Sequence, residues 1–255
     1  MTKVSDIFSF LCGLAPLELQ LEFDNAGFLV GHASAEVSRV LLSLDVTDEV
    51  IEEAIDCGAQ LIVSHHPVIF DARKALTDED VGGARLLRLA ENGIAVISMH
   101  TNLDIAAGGV NDVLLALFDA SPEGPLDEDG CGRTGFLQKE MEMSAFLALC
   151  KERLHTCGLR YYDAGLPVRH LAVMGGAGGD SVERAYALGC DTYLTSDIKY
   201  HQFLLAKDLG INMIDGDHFC TEAPVMLALA AKLSVAFPEV DFFQSLRHGQ
   251  TVRFA

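Results

Sequence analysis

The chain has 255 residues, of which 37 are acidic and 18 are basic, giving a formal net charge of −19 at pH 7. This length allows one large domain or two small ones, and a content of 50% hydrophobic residues can form a sizeable core. Because such a negative surface repels phosphate backbones and anionic lipids, nonspecific nucleic-acid binding and membrane-surface binding are disfavoured, although a local basic pocket remains compatible with it.

Several features of the sequence predict a cytoplasmic protein. The seven cysteines are odd in number and form no CxxC pair, which is typical of a reduced, intracellular protein. The apolar run over residues 7–17 follows Asp6 and precedes an acidic stretch, so we interpret it as a packed helix rather than a signal segment. The most apolar helix, expected over residues 223–237, contains Lys232 and is predicted to be too short to span a bilayer.

Strands and helices alternate through the first half of the chain. Apolar runs predict strands over residues 40–46, 61–63 and 94–99. Between the first two strands, Thr47 is expected to cap a helix that Gly58 ends. This alternation predicts an α/β fold with mainly parallel sheets covered by helices on both faces.

The second half continues the alternation after an interruption. Residues 121–135 contain two Pro and four Gly and are predicted to be a loop or a domain boundary. The glycine-rich run 175–179 is interpreted as a tight turn, with phosphate binding as the alternative, because it does not match GxxxxGK[ST]. Further strands are predicted over residues 159–162, 171–174, 191–195 and 211–214.

The two halves of the sequence resemble each other. The stretch RVLLSLDVTDEVIEEAIDCGAQLIVSHH from Arg39 parallels RHLAVMGGAGGDSVERAYALGCDTYLTSD from Arg169, and GIAVISMH later parallels GINMIDGDH. We therefore predict an internal duplication, with a first α/β repeat over residues 1–122 and a second over residues 123–255. The C-terminal helix and strand are expected to pack on the first repeat, and a metal site is expected in the cleft between the halves.

The motif Ser64-His65-His66-Pro67 follows the strand predicted over residues 61–63. The carboxyl edge of a parallel sheet is where ligands bind, and two adjacent histidines just past the strand can turn toward one point. Since imidazole is the commonest metal ligand near neutral pH, the motif indicates a metal site. The alternative is a pair of solvated loop histidines.

Two later strands also end at possible metal ligands. His100 and Asp104 follow the strand over residues 94–99, where the glycines that come next predict a loop. His218 and Glu222 are four residues apart, so they can share a helix face. Histidines with carboxylates suit Zn, Mn, Fe, Co or Ni without choosing among them. The set exceeds what one tetrahedral ion needs and fits two divalent ions, as in hydrolases that activate water and bind phosphate oxygens.

Five motifs carry a resemblance to a known family. They are FDNAGFLVG, SHHP, HTNLDIAAGGVND, TSDIKYH and HFCTEAP, in family order from Phe23 to about Pro224. Together they resemble the dinuclear-metal-centre family of GTP cyclohydrolase I type 2 homologues, also described as NGG-interacting-factor-like. The resemblance implies a homohexameric ring with Glu222 as the bridging carboxylate. The metal ligands that it implies are His65, His66, Asp104, His218 and Glu222.

Three positions depart from the family pattern. Phe23 stands where the family has Trp, Ser196 where it has Gly, and Asp217 replaces the Gly before His218. The implied ligand set is intact. The departures concern the residues around the ligands, and Asp217 adds a negative charge beside one of them.

Three residues are candidates for catalytic roles. His100 shares a family motif but is not an implied ligand, so we expect it to contact a ligand or to hydrogen-bond the substrate. Lys199 and His201 are candidates for a substrate-phosphate contact or a proton donor, with a solvated helix start as the alternative for each.

Other polar residues near the motifs have more than one predicted role. Asn102 could orient Asp104, touch substrate or form a turn. Asp24 and Asn25 are expected to form a turn, with lining of the cleft as the alternative. Cys220 should pack inside the protein, since it lies two residues from His218 and so faces away from it on a helix.

These features lead to one functional prediction and two alternatives. The prediction is a dinuclear metal-dependent hydrolase that acts on a small molecule, either a nucleotide or another phosphoester. The first alternative is a non-catalytic metal-binding regulatory or scaffold protein. The second is a structural metal site, which the shortage of Cys ligands disfavours.

Overall fold

The computed structural model describes residues 1–254, which form a mixed α/β fold with two sheets. The chain divides into two compact units. The first unit is Met1–Ala107 together with Met226–Gly249, and the second is Gly108–Val225 together with the residues from Gln250 onward. The boundary predicted at residue 122 falls inside the second unit.

The elements are numbered here in chain order. The strands are β1 (Gly27–Val30), β2 (Arg39–Ser43), β3 (Leu61–Ser64), β4 (Ala95–Ser98), β5 (Ser121–Pro125), β6 (Arg133–Met141), β7 (Arg160–Tyr162), β8 (Val168–Val173), β9 (Thr192–Thr195), β10 (Asn212–Asp215) and β11 (Asp241–Gln244). The helices are α1 (Val4–Leu14), α2 (Asp48–Cys57), α3 (Val81–Glu91), α4 (Thr101–Ile105), α5 (Val110–Ala116), α6 (Met143–Leu154), α7 (Val182–Ala187), α8 (Tyr200–Leu209), α9 (His218–Glu222) and α10 (Pro224–Ala236).

The first unit contains a five-stranded sheet in the order β1-β4-β3-β2-β11. Its pairings are parallel except for β1 on β4. The register aligns Ser43 with Ser64 and Ser64 with Ser98, so β2, β3 and β4 end at the same edge. This alignment delivers His65 and His100 side by side, each just beyond the end of its strand.

Local sequence signals begin and end α2 as predicted. The Thr47 hydroxyl accepts a hydrogen bond from the Val50 amide at 3.3 Å, and Gly58 adopts the left-handed conformation with φ of 70°. Three buried residues of this helix, Val50, Ile51 and Ala54, pack in the same core cluster as Ile62 of β3. The helix therefore covers the strand that leads to the first two histidines.

The second unit contains a six-stranded sheet in the order β5-β6-β8-β9-β10-β7. Only β8, β9 and β10 pair in parallel, and the other three pairings are antiparallel. The prediction of a mainly parallel sheet is therefore wrong for this unit. The region predicted as a loop, residues 121–135, contains β5 and the start of β6. The prolines of β5 are tolerated because this strand lies at the sheet edge, where a missing N–H breaks no internal pairing.

Each unit contains a run of three parallel strands joined by helices. These runs are β2-β3-β4 and β8-β9-β10, which contain the two stretches of similar sequence. The internal duplication itself stays a prediction. β11 pairs with β2 in parallel, in the same unit as the first run.

Helices α9 and α10 are joined by Ala223, whose backbone is also helical, into the run His218–Ala236. This run of 19 residues is long and apolar enough to cross a membrane. The expectation that this region is too short was wrong, because the helix begins before residue 223. Length and composition are shared by the core helices of soluble proteins, so the run is weak evidence for a membrane span. The cytoplasmic location stays a prediction.

Candidate metal centre

Three histidines of the first unit converge beyond the ends of β3 and β4. One ligand nitrogen from each of His65, His66 and His100 lies within 4.8 Å of the others. Their ring centroids are 5.0 to 5.5 Å apart. Thus His100, which the resemblance did not assign as a ligand, has the same proximity to the cluster as the two that it did.

The hydrogen bonds of these rings determine where each imidazole carries its proton. In all three rings Nδ1 lies within hydrogen-bond distance of an oxygen that can only accept, so a neutral ring carries its proton on Nδ1 and its lone pair on Nε2. The pairs are His65 Nδ1 with the Met99 carbonyl at 2.8 Å, His66 Nδ1 with Asp45 Oδ1 at 2.7 Å, and His100 Nδ1 with Asp24 Oδ1 at 2.6 Å. Nε2 is the atom through which such an imidazole binds a divalent ion.

Asp104 belongs to the same cluster. Its Oδ1 lies 3.6 Å from Nε2 of His65, whose side chain is fully buried. The prediction that this segment is a loop was wrong, since residues 101–105 form the short helix α4. The glycines that suggested a loop follow this helix instead of preventing it.

Asp24 supports His100 instead of only forming a turn. Besides the His100 ring, it accepts hydrogen bonds from the Thr101 amide at 3.0 Å and from the Thr101 hydroxyl. Burial alone would raise the pKa of Asp24, but the hydrogen bonds from His100 and Thr101 outweigh it and lower the pKa to about 2. Asn102 is fully buried and its Nδ2 donates to the Ala15 carbonyl at 2.8 Å, so this amide fastens the end of α1.

His248 is a site residue that the sequence analysis missed. Its Nε2 lies 3.0 Å from Asp45 Oδ2, while the other oxygen of that carboxylate holds His66. Burial alone would raise the pKa of Asp45, but the hydrogen bonds from His248 and His66 hold it well below its usual range. No motif surrounds His248 in the sequence, so only the fold reveals this contact.

The second unit presents a histidine and a carboxylate on one helix face, as their spacing predicted. His218 Nε2 lies 3.1 Å from Glu222 Oε2, and Glu222 is only 4% exposed. His218 Nδ1 lies 2.8 Å from Asp197 Oδ2, so this ring has the same tautomer as the three described above. An imidazole nitrogen and a buried carboxylate are thus held together as a second potential metal-binding pair.

Asp217 occupies a conformation that explains the glycine of the family pattern. Its φ is 75°, a value that glycine adopts at little cost and other residues do not. Its carboxylate caps α9 by accepting from the Cys220 amide at 3.2 Å, a contact that glycine could not make. Cys220 is 6% exposed in an apolar cluster, where burial raises its thiol pKa to about 12, which confirms its packing role.

The glycine-rich turn packs against the side chain of Glu222. A Cβ on Gly176, whose φ is 66°, would lie 2.2 Å from Glu222 Oε1 and 3.3 Å from His218 Nε2. The backbone and hydroxyl of Ser196 both donate to the Gly176 carbonyl and hold this turn in place. The interpretation as a tight turn is therefore supported by its packing role, and Ser196 adds a hydrogen bond that glycine could not make.

Lys199 and His201 lie at the start of α8 and are both exposed. The Lys199 backbone amide donates to Gln202 Oε1 at 2.7 Å, which caps the helix. This position agrees with a solvated helix start and does not test a catalytic role. Their roles as phosphate contact or proton donor stay predictions.

Comparison with known proteins identifies the family. Residues 2–248 match the model of the Duf34/NIF3 (NGG1p interacting factor 3) family, and the chain belongs to this family. It is 35% identical over 251 residues to the GTP cyclohydrolase 1 type 2 homolog of Clostridium perfringens, covering 95% of this chain and 96% of the relative. The resemblance drawn from the five motifs is confirmed.

Two solved structures are similar to this fold. The Staphylococcus aureus hypothetical protein SA1388 superposes with a TM-score of 0.93 at 26% identity, covering 99% of both chains. Reduced HcgD from Methanocaldococcus jannaschii gives a TM-score of 0.84 at 29% identity, covering 95% of this chain and 97% of the other.

We predict that Gly176→Ala weakens metal binding. The new Cβ would displace the Glu222 carboxylate, and the positive φ adds strain of about 1–2 kcal/mol. Gly189→Ala is the matched control, because Gly189 has a φ of 79° but nothing lies within 4 Å of an added Cβ. Both variants should lose stability in urea, and only Gly176→Ala should lose metal in a chelator competition. Equal metal affinity in the two variants would contradict this role for Gly176.

We also predict that His248→Ala lowers metal affinity by up to about 10-fold, the low end of the range for residues bonded directly to a ligand, because His248 acts on His66 through Asp45. The cause is the loss of a donor to the carboxylate that orients His66. His248→Gln retains an N–H donor and should keep most of the affinity. Chelator competition on both variants measures the difference, and an alanine variant that binds metal as tightly as the glutamine variant would remove His248 from the site.

Proposed function

We propose that the protein is a dinuclear metal-dependent hydrolase that acts on a nucleotide or another phosphoester. The proposed ligands of two divalent ions are His65, His66, Asp104, His218 and Glu222. The observation that carries the proposal is the convergence of His65, His66 and His100, whose ligand nitrogens lie within 4.8 Å of one another. Each proposed histidine ligand, and His100 with them, directs Nδ1 to an oxygen acceptor and so keeps its lone pair on Nε2. His170, which lies outside the cluster, also directs Nδ1 to an oxygen, the Gly189 carbonyl, so the ring orientation supports the proposal only together with the convergence of the ligand nitrogens.

The donor set fits transition-metal ions. Imidazole nitrogen with carboxylate oxygen suits Zn, Fe, Mn, Co or Ni, and the proposal does not distinguish among them. Two such ions, when bound, lower the pKa of a water toward neutrality and neutralise charge on phosphate oxygens.

Within this proposal His100 moves a proton at Nε2. The Asp24 carboxylate bonded to Nδ1 stabilises the imidazolium that forms when Nε2 accepts a proton, as a carboxylate does in other histidine–carboxylate pairs. The same nitrogen can then return the proton to a leaving oxygen. Lys199 and His201 are proposed as a phosphate contact or a second proton donor.

The alternative is a non-catalytic metal-binding regulatory or scaffold protein. The exposure of Lys199 and His201 favours this non-catalytic alternative, since a proton relay that includes them is open to solvent. The homohexamer implied by the family resemblance is compatible with either function. Light scattering on the purified protein tests that assembly.

Elemental analysis of the purified protein, combined with a hydrolysis panel of nucleotides and phosphoesters with and without chelator, tests the proposal. Near two metal ions per chain with chelator-sensitive turnover is the expected result. Two ions without turnover on any substrate would favour the regulatory alternative. The absence of bound metal after reconstitution with each candidate ion would overturn both.

We predict that Glu222→Ala reduces the metal content well below two ions per chain while the protein stays folded. The variant removes a buried carboxylate that is proposed to bridge the ions. Glu183→Ala removes an exposed carboxylate of α7 and should keep the full content. Circular dichroism checks the fold, and retention of two ions by Glu222→Ala would exclude the bridging role.

A further inference from the structure

Two phenylalanines lie exposed beside the histidine cluster of the first unit. Phe23 is 64% exposed and Phe70 is 46% exposed, and their ring centroids are 6.4 Å apart with the planes tilted by 45°. Phe70 also meets His100, edge to face, at a centroid distance of 6.1 Å and an interplanar angle of 80°. Two exposed apolar rings thus adjoin the histidine cluster.

Hydrogen bonds hold the chain segments that adjoin both aromatic residues. Asp24, next to Phe23, is fixed by His100 and Thr101. Asn25 Nδ2 donates to the carbonyl of Ile69, the neighbour of Phe70, at 2.6 Å. The two segments are therefore tied to each other and to His100, so that a ligand binding here orders little of the protein.

We propose that Phe23 and Phe70 form an aromatic subsite that stacks the planar base of a nucleotide beside His100. The proposal rests on the proposed function in taking this cluster as the substrate site, and it selects nucleotides from the wider class of phosphoesters. Contiguous exposed apolar patches rimmed by polar residues mark interaction sites, and ligand-binding grooves are one class of them. Aromatic rings, unlike aliphatic side chains, gain additional energy from ring stacking.

The size and charge of the surroundings favour a small ligand over a macromolecule. Two rings of at most about 250 Å² each are well below the roughly 800 Å² per partner that a stable protein interface buries. The net charge of −19 disfavours a long nucleic-acid strand. A mononucleotide carries a stacking base together with a phosphate that the metal centre could receive.

Phe136 provides a matched control. It is 39% exposed, but its ring already stacks on His170 at a centroid distance of 4.1 Å and an angle of 13°. Removing it tests the general effect of deleting an exposed phenylalanine. Phe23→Tyr tests whether an aromatic ring is sufficient at the proposed subsite.

The experiment compares binding of AMP, GMP and ribose 5-phosphate by calorimetry, since the last ligand carries an anomeric hydroxyl in place of the base. The wild-type protein should bind at least one purine nucleotide more tightly than ribose 5-phosphate. Phe23→Ala and Phe70→Ala should each weaken that nucleotide by roughly 5- to 150-fold, the range for loss of one base–aromatic stack. The affinity for ribose 5-phosphate should not change, and Phe23→Tyr and Phe136→Ala should resemble the wild type.

Several results would overturn the subsite. They are equal weakening of all three ligands, no effect of either alanine variant, no nucleotide binding at millimolar concentration, or a change of oligomeric mass in place of a change in affinity. Binding separates this proposal from the hydrolase proposal. Base-dependent binding without turnover would support the subsite alone, whereas phosphoester turnover with no response to the alanine variants would support the hydrolase alone.

Discussion

The candidate metal centre depends on one repeated interaction, the hydrogen bond from an imidazole Nδ1 to a fixed oxygen. His65 makes it to a backbone carbonyl, and His66, His100 and His218 make it to carboxylates. Each bond sets the tautomer and limits rotation of the ring, so the lone pairs on Nε2 are oriented before any ligand arrives.

The sequence correctly predicted the features that depend on residues close together in the chain. The strand before His65, the cap at Thr47 and the end of α2 at Gly58 follow from neighbouring residues, and the structure confirms them. The shared face of His218 and Glu222 follows from the helix period. Local patterns of this kind determine local geometry because few other contacts compete with them.

Sequence reasoning failed where the deciding contact joins distant parts of the chain. Asp45 and His248 are about two hundred residues apart in sequence, and no periodicity links them. The strand β6 was missed because alternation is weak in its half-exposed pattern and the preceding Gly and Pro residues suggested a loop. The roles of Asp24 and Gly176 depend on partners, His100 and Glu222, that only the folded chain brings near.

The hydrogen bonds made by residues 245–248 affect the stage of synthesis at which the first unit can complete its fold. Ser245 and Leu246 bond to Glu53 on α2, and His248 reaches Asp45. Residues 245–248 belong to the first unit, yet they are translated after residues 108–225, the main segment of the second. On the ribosome, the nascent first unit therefore emerges with an incomplete sheet and with His66 lacking part of its support. The ion affinity that we propose for this cluster would therefore be complete only late in synthesis, after residues 245–248 have been added.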